Sequence, residues 1–336
     1  IAQFKVAGSN PKFNVEGDVF FLAWTTTPWT LPANCALAVG KKIQYVLVET
    51  FNPYTHQPVA LILAKDLLPK YFSDKQNEVA FEDYKPGDKL IPWREKGSWN
   101  GDQLLGIAYE QLMPYVQPDG KAFVVIPGDF VTTDDGTGIV HTASVFGADD
   151  FRVCNENGIS SIMVTDEAGN PSPLVDKRGR FVKEVTDFAN EFVKEDYLTA
   201  EEKEEWRQKQ GRDKYLSVDE RISILLKKEN KAFKVEKYEH SDKKHHGRDA
   251  DTDQRASGDI ENALAAQIGR WHFKFCCGRA CNAIPRSDGG IRRRHRRSIE
   301  AQSFIQRVDA YVQIDLGSEN GVLRAQIGRA SCRERV

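Results

Sequence analysis

Short apolar runs separated by turn-forming residues set the pattern of the first 145 positions. DVFFLAWTTT (18–27), QYVLVET (44–50), PVALILA (58–64), KAFVVIP (121–127) and GIVHTA (138–143) are each bounded by Gly, Pro, Asn or Asp. Runs of this length, rich in β-branched and aromatic residues, predict strands. Together they predict a compact barrel-like or sandwich-like β core.

Helical periodicity is weaker and comes later. GADDFRVCNENG (147–158) predicts a short helix with Asp149 and Asp150 in its first turn, where the helix dipole favours carboxylates. LTAEEKEEWRQKQ places Thr199 and Glu202 at capping-box spacing, and SVDERISILLKKENKAF repeats the device with Ser217 and Glu220. In the second, Val218, Ile222, Leu225 and Leu226 share one face, whereas the first is charged enough to be a solvated surface helix. The expected fold class is α+β: a β-rich, barrel-like domain with peripheral helices and a poorly structured C-terminal tail. The expected divisions are a core over 1–165, a periphery over 166–241 and an atypical tail over 242–336.

Charge explains the last division. Residues 1–241 hold 22 lysines and 7 arginines against 37 acids, while 242–336 hold 3 lysines and 15 arginines against 12 acids. The preferred cation changes abruptly. RRRHRR (292–297) reads either as a basic arm for nucleic-acid phosphates or as part of a chimeric or frame-shifted segment, and the weak periodicity around it favours the second. Over the whole chain the formal charge is −2, so no strong field for nucleic acid or anionic membrane results. No run of eighteen apolar residues and no secretory signal is present, and a cytoplasmic setting is expected. A chain opening on Ile1 is expected to be an internal piece of something longer. Six scattered cysteines suit reduced thiols; His272, Cys276, Cys277 and Cys281 lack the paired spacing of a structural zinc site, and no metal is expected.

Two stretches carry candidate chemistry. WTTTPWTLPAN (24–34) delivers three consecutive hydroxyls, Thr25, Thr26 and Thr27, into a Pro28-Trp29 turn. Strand alternation sends Thr25 and Thr27 one way and Thr26 the other. DDGTGIVHTASVFGADD (134–150) places Gly136 and Gly138 where the backbone turns tightly or approaches a ligand, then presents His141 and Asp150. Taken singly, the threonines read as ordinary strand residues, His141 as a satisfied structural histidine and Asp150 as a helix-terminus acid.

Taken together, WTTTPWTLPAN, GTGIVHTA and FGADD resemble the isoleucyl-tRNA synthetase family, specifically the editing domain inserted within its catalytic core. The resemblance runs from near Ile1 to about Ser241, where the family chain returns toward its nucleotide-binding core, and it stops at the change in charge. Valyl and leucyl relatives usually carry arginine at the place of Thr27, and the valyl kind lysine at the place of His141. Ser144 departs from the proline that many family members have there.

The resemblance implies hydrolysis of misacylated Val-tRNA(Ile). Isoleucine and valine differ by one methylene, worth only about 1 kcal/mol on burial. This family is itself the standard illustration of that limit, and a second hydrolytic pocket is the remedy. It further implies that Asp150 anchors the substrate's α-amine, that His141 lines the side-chain cavity, and that Thr25, Thr26 and Thr27 serve the adenosine, the ester and the attacking water. Trp24, Asn34, Gly136 and Gly138 are the implied substrate-binding set. The implied partner is the tRNA(Ile) 3′ acceptor end carrying a noncognate amino acid, in a monomeric parent enzyme without membrane attachment. No cofactor is expected for editing; ATP and Mg belong to a synthetic domain whose nucleotide-binding signatures this chain lacks. The competing expectation is a catalytically inactive fragment that binds the acceptor end.

Overall fold

The apolar runs are hidden on both faces, and that decides the architecture. A computed structural model describes residues 1–167 and 169–236. Its strands are β1 Ala2–Lys5, β2 Val19–Ala23, β3 Ala36–Val39, β4 Gln44–Phe51, β5 Pro58–Ala64, β6 Arg94–Asn100, β7 Val124–Pro127, β8 Ile139–Thr142, β9 Val164–Thr165 and β10 Pro171–Ser172. Five of them form a sheet in the order β1-β2-β5-β4-β6, antiparallel except for the parallel β2–β5 pair. A second sheet has the order β7-β3-β8, with β3 parallel to β7 and antiparallel to β8.

Phe21, Leu47 and Ile62 face the main core, while their neighbours Leu22, Val46 and Leu61 pack on the opposite face against Phe72, Trp93 and Phe233. A sheet covered on both sides needs apolar residues at consecutive positions, which is why these strands read as runs rather than alternations.

The barrel-like expectation is corrected. Single bridges join Trp24 to Val140, Ala108 to Val124 and Val6 to Tyr109, but the ladders themselves stay open. Closure needs continuous inter-strand pairing. Here β2 stops at Ala23 and the chain bends through the threonines into a 3-10 turn, Pro28–Ala33. The result, among the described residues, is two open mixed sheets and a small antiparallel β9–β10 pair, with few helices.

The helices are α1 Asp74–Asn77, α2 Ala148–Glu156, α3 Ala200–Lys209 and α4 Val218–Lys228. Both expected capping boxes form at Thr199 and Ser217, and Asp149 and Asp150 occupy the first turn of α2. Helix α3 buries no residue, whereas α4 buries Val218, Ile222 and Leu226 and lies against the 3-10 turn. Residues 231–234 run beside β1: Gln3 N–H donates to Lys231 O, Phe233 N–H to Ile1 O, and the Ile1 amino group to Lys234 O. No helix among the described residues is long and apolar enough to cross a membrane. The expected tail over 242–336, with its RRRHRR run and the cysteines near His272, lies outside the described residues.

Candidate functional site

The threonine run sits where β2 ends, and its hydroxyls explain the ending. Thr25 Oγ1 accepts the backbone N–H of Thr27 at 3.0 Å, closing a local turn in place of further ladder bonding. The Thr25 and Thr27 hydroxyls stand 3.3 Å apart, on the shared side that alternation predicts. The Thr26 hydroxyl makes no hydrogen bond among the described residues and is half-buried. Thr27 is the most exposed of the three.

The turn then delivers a fourth hydroxyl, which sequence reasoning missed. Thr30 is buried; its Oγ1 donates to the Thr27 carbonyl at 2.8 Å and lies 2.9 Å from Nε2 of His141. The Thr30 hydroxyl thus holds the ring at Nε2, and Nδ1 is the ring nitrogen on the other side. Nδ1 has no partner among the described residues, and His141 is 8 % exposed. Burial lowers the His141 pKa to about 4, so the ring is neutral near pH 7. The available signal for Thr30 was its spacing, three residues after Thr27 in a turn, where side chain and carbonyl meet.

His141 is carried by β8, paired with Leu37 of β3. Two residues on, the Ala143 N–H donates to Asp150 Oδ2 at 2.9 Å, so the acid is tied to the backbone immediately beyond the histidine. Gly147 leaves space for it, since a Cβ there would stand 3.3 Å from Asp150 Cγ. One turn later on α2, Cys154 Sγ lies 3.6 Å from Cys35 Sγ at the start of β3, anchoring the helix that bears Asp150. Burial raises the Asp150 carboxyl to about 6, opposed by the Ala143 hydrogen bond and aided by the neighbouring Asp149. No cation pairs with Asp150 among the described residues. An ionised, half-buried and unpaired carboxylate is a ready partner for an ammonium group.

The remaining predicted residues lie around this frame. Trp24 is half-buried and bridges to Val140, next to His141. Gly136 has φ +69°, and a Cβ on it would approach Trp24 Cβ to 3.2 Å. Gly138 has φ +72°, and its Cβ would collide with Ala64 Cβ at 2.4 Å. Both glycines are therefore required by packing within the fold. Asn34 is 2 % exposed, with its Nδ2 donating to Ala36 O at 2.9 Å and its Oδ1 accepting from Tyr109 OH at 2.6 Å. Ser144, at the departure from the proline pattern, donates its hydroxyl to Ser161 Oγ at 2.7 Å. Trp29 packs edge-on against Phe146 at 5.1 Å, a second tie between the two motifs.

Two cavities open elsewhere. One of ≈ 230 Å³ lies among Phe51, Tyr71 and Phe233, and one of ≈ 240 Å³ among Lys5, Glu110 and Lys231. Neither is lined by a predicted site residue.

No family model matches the chain. The isoleucine–tRNA ligase of Cytophaga hutchinsonii is 67 % identical over 241 residues, which is 72 % of this chain and 21 % of that protein. The isoleucine–tRNA ligase of Porphyromonas gingivalis is 43 % identical over 258 residues, 72 % of this chain and 22 % of that protein. The chain thus spans about a fifth of the length of these curated relatives. Among solved structures, the P. falciparum cytosolic leucyl-tRNA synthetase editing domain gives a TM-score of 0.32 at 15 % identity, covering 76 % of this chain and 80 % of that one. The P. knowlesi cytosolic leucyl-tRNA synthetase editing domain gives 0.34 at 14 %, covering 47 % and 63 %.

Proposed function

Because this chain belongs, over 72 % of its length, among the homologues of the isoleucine–tRNA ligases, we propose that it carries their editing site and hydrolyses valine from misacylated tRNA(Ile). The observation that carries the reading is the join between the two motifs: one hydroxyl, Thr30, contacts both Thr27 and His141. Asp150 joins the same frame, tied to the Ala143 N–H two residues beyond His141.

The substrate presents a cationic α-amine, an ester carbonyl, a small side chain and the terminal adenosine. Asp150 holds the amine through a charge-assisted hydrogen bond, and at neutral pH it is ionised despite its raised pKa of about 6. Water adds to the ester carbonyl carbon, the bond to the ribose oxygen breaks, and that oxygen takes a proton, giving free valine and uncharged tRNA. In this reading the Thr26 hydroxyl holds the water or the ester, and Thr25 and Thr27 shape the turn that carries it. His141, with a pKa of about 4, is a poor base. Its role is a rigid neutral wall, held at Nε2 by the Thr30 hydroxyl. Asn34 serves from beneath, by fixing the start of β3 through Ala36 and Tyr109.

The reading is tested by release of valine from Val-tRNA(Ile) on addition of the chain, compared with D150A. Release by the wild type and its loss in D150A is expected. Binding without release leaves an inert acceptor-end module, and neither activity removes the assignment altogether.

A further inference from the structure

We propose that Asp219 is a positioning residue for the threonine turn, capping it from helix α4, 190 residues away in sequence. The inference rests on the editing function proposed above.

The 3-10 turn Pro28–Ala33 begins with an open donor. Pro28 has no N–H, so the first N–H to satisfy is that of Trp29. A helix-like turn normally finds that partner in its own N-cap side chain. Thr27 occupies the cap position and makes no capping bond, because its hydroxyl faces those of Thr25 and Thr30. The donor is met from outside: Trp29 N–H donates to Asp219 Oδ1 at 2.7 Å.

Asp219 is itself firmly held. It lies in the first turn of α4, between the Ser217 capping box and the buried Val218 and Ile222. Burial raises its carboxyl to about 6, the Trp29 hydrogen bond opposes that, Glu195 and Glu220 add to it, and Lys194 works against it. Among the described residues its carboxylate accepts one hydrogen bond, from Trp29, which lies between Thr27 and Thr30, the two threonines of the Thr27–Thr30–His141 chain. On the far side of Trp29, its indole packs on Phe146. Releasing the Trp29 backbone therefore lets the turn shift and carries Thr26, Thr27 and Thr30 with it. Misplacement of a positioning group by about 1 Å can cost on the order of a hundredfold in rate.

The test uses the full 336-residue chain with the substitutions D219A and D219N, reading ester hydrolysis and hydrogen exchange at the Trp29 amide. In D219A, kcat for valine release is expected to fall roughly ten- to a hundredfold with KM little changed. D219N, which keeps an acceptor oxygen, is expected to recover most of it. Trp29 exchange should accelerate in D219A and not in D219N. An unchanged kcat in D219A, or a D219N variant as damaged as D219A, overturns the proposal. If the wild type releases no valine, the editing function fails, and the exchange arm decides alone: a Trp29 amide equally protected in D219A then overturns the cap.

Discussion

His141 Nε2 and Thr30 Oγ1 lie 2.9 Å apart, and the same oxygen donates to the Thr27 carbonyl at 2.8 Å. One buried hydroxyl thereby ties the orientation of the histidine ring to the path of the threonine turn. It also leaves Nδ1 as the unsatisfied edge of the ring. A buried polar atom without a partner carries a desolvation penalty, and such penalties persist where a ligand relieves them.

Replacing Thr30 with valine keeps the shape and removes the oxygen. His141 Nε2 then loses its partner among the described residues, a loss of about 1–3 kcal/mol, while the Thr27 carbonyl keeps the Thr30 backbone N–H at 3.0 Å. Urea denaturation of T30V should show that loss, with T30S close to the wild type. A T30V protein as stable as its parent would mean that the three groups do not meet.

Gly138 has φ +72°, and a methyl on it would stand 2.4 Å from Ala64 Cβ. G138A therefore combines a left-handed backbone penalty of about 1 kcal/mol with a direct clash between the β8 approach and β5. Adding A64G should restore the part due to the clash and leave the part due to φ. Full restoration would show that backbone conformation contributes nothing at this position.

How much of this was legible follows from what each element must satisfy. β2, β4, β5, β7 and β8 announced themselves because burial demands apolar runs. β6, Arg94–Asn100, did not: it is an edge strand of charged and polar residues, paired on one side only. Its evidence lies in its partner, and so it is invisible to local pattern. β1, AQFK, is broken by Gln3 and Lys5, and β3, ALAV, is half alanine, a residue of low strand propensity, so neither stood out. The open sheets were missed for a related reason, since strand closure is a property of long-range pairing. At the site, Asp150 and the threonines were readable as motif residues. Thr30 and Asp219 were not, because each acts through a contact 111 or 190 residues distant. Asn34 was recognised, but its commitment to Tyr109 and Ala36 depends on burial that no motif displays.

That commitment yields a separable prediction. Y109F leaves Asn34 Oδ1 buried without a donor, and N34A leaves Tyr109 OH without an acceptor; each should cost about 1–3 kcal/mol. Residues sharing one bond are not additive, so the double variant should be less destabilised than the sum of the two. An additive pair would place the work of Asn34 elsewhere, in contact with substrate.

His141 and Asp150 make opposite demands on pH. The histidine's folded pKa, about 4, is below its usual 6.5, so the unfolded chain binds that proton more readily between these values. Its contribution is complete above about pH 6.5 and is lost as pH falls toward 4. The acid's folded pKa, about 6, is above its usual 3.8, so the folded chain keeps a proton that the unfolded chain has released. Its contribution is complete below about pH 3.8 and is lost as pH rises toward 6. Subtracting the stability of H141N from that of the wild type should give a difference that rises between pH 4 and 6.5. The same subtraction with D150N should give one that falls between pH 4 and 6. Asp219, also near 6, is common to all three proteins and cancels. Each change is bounded by about 3 kcal/mol, at 1.36 kcal/mol per pKa unit, and partial exposure of Asp150 reduces its share. A flat difference for H141N would mean that the ring is solvated, and the neutral wall assigned to it would fail.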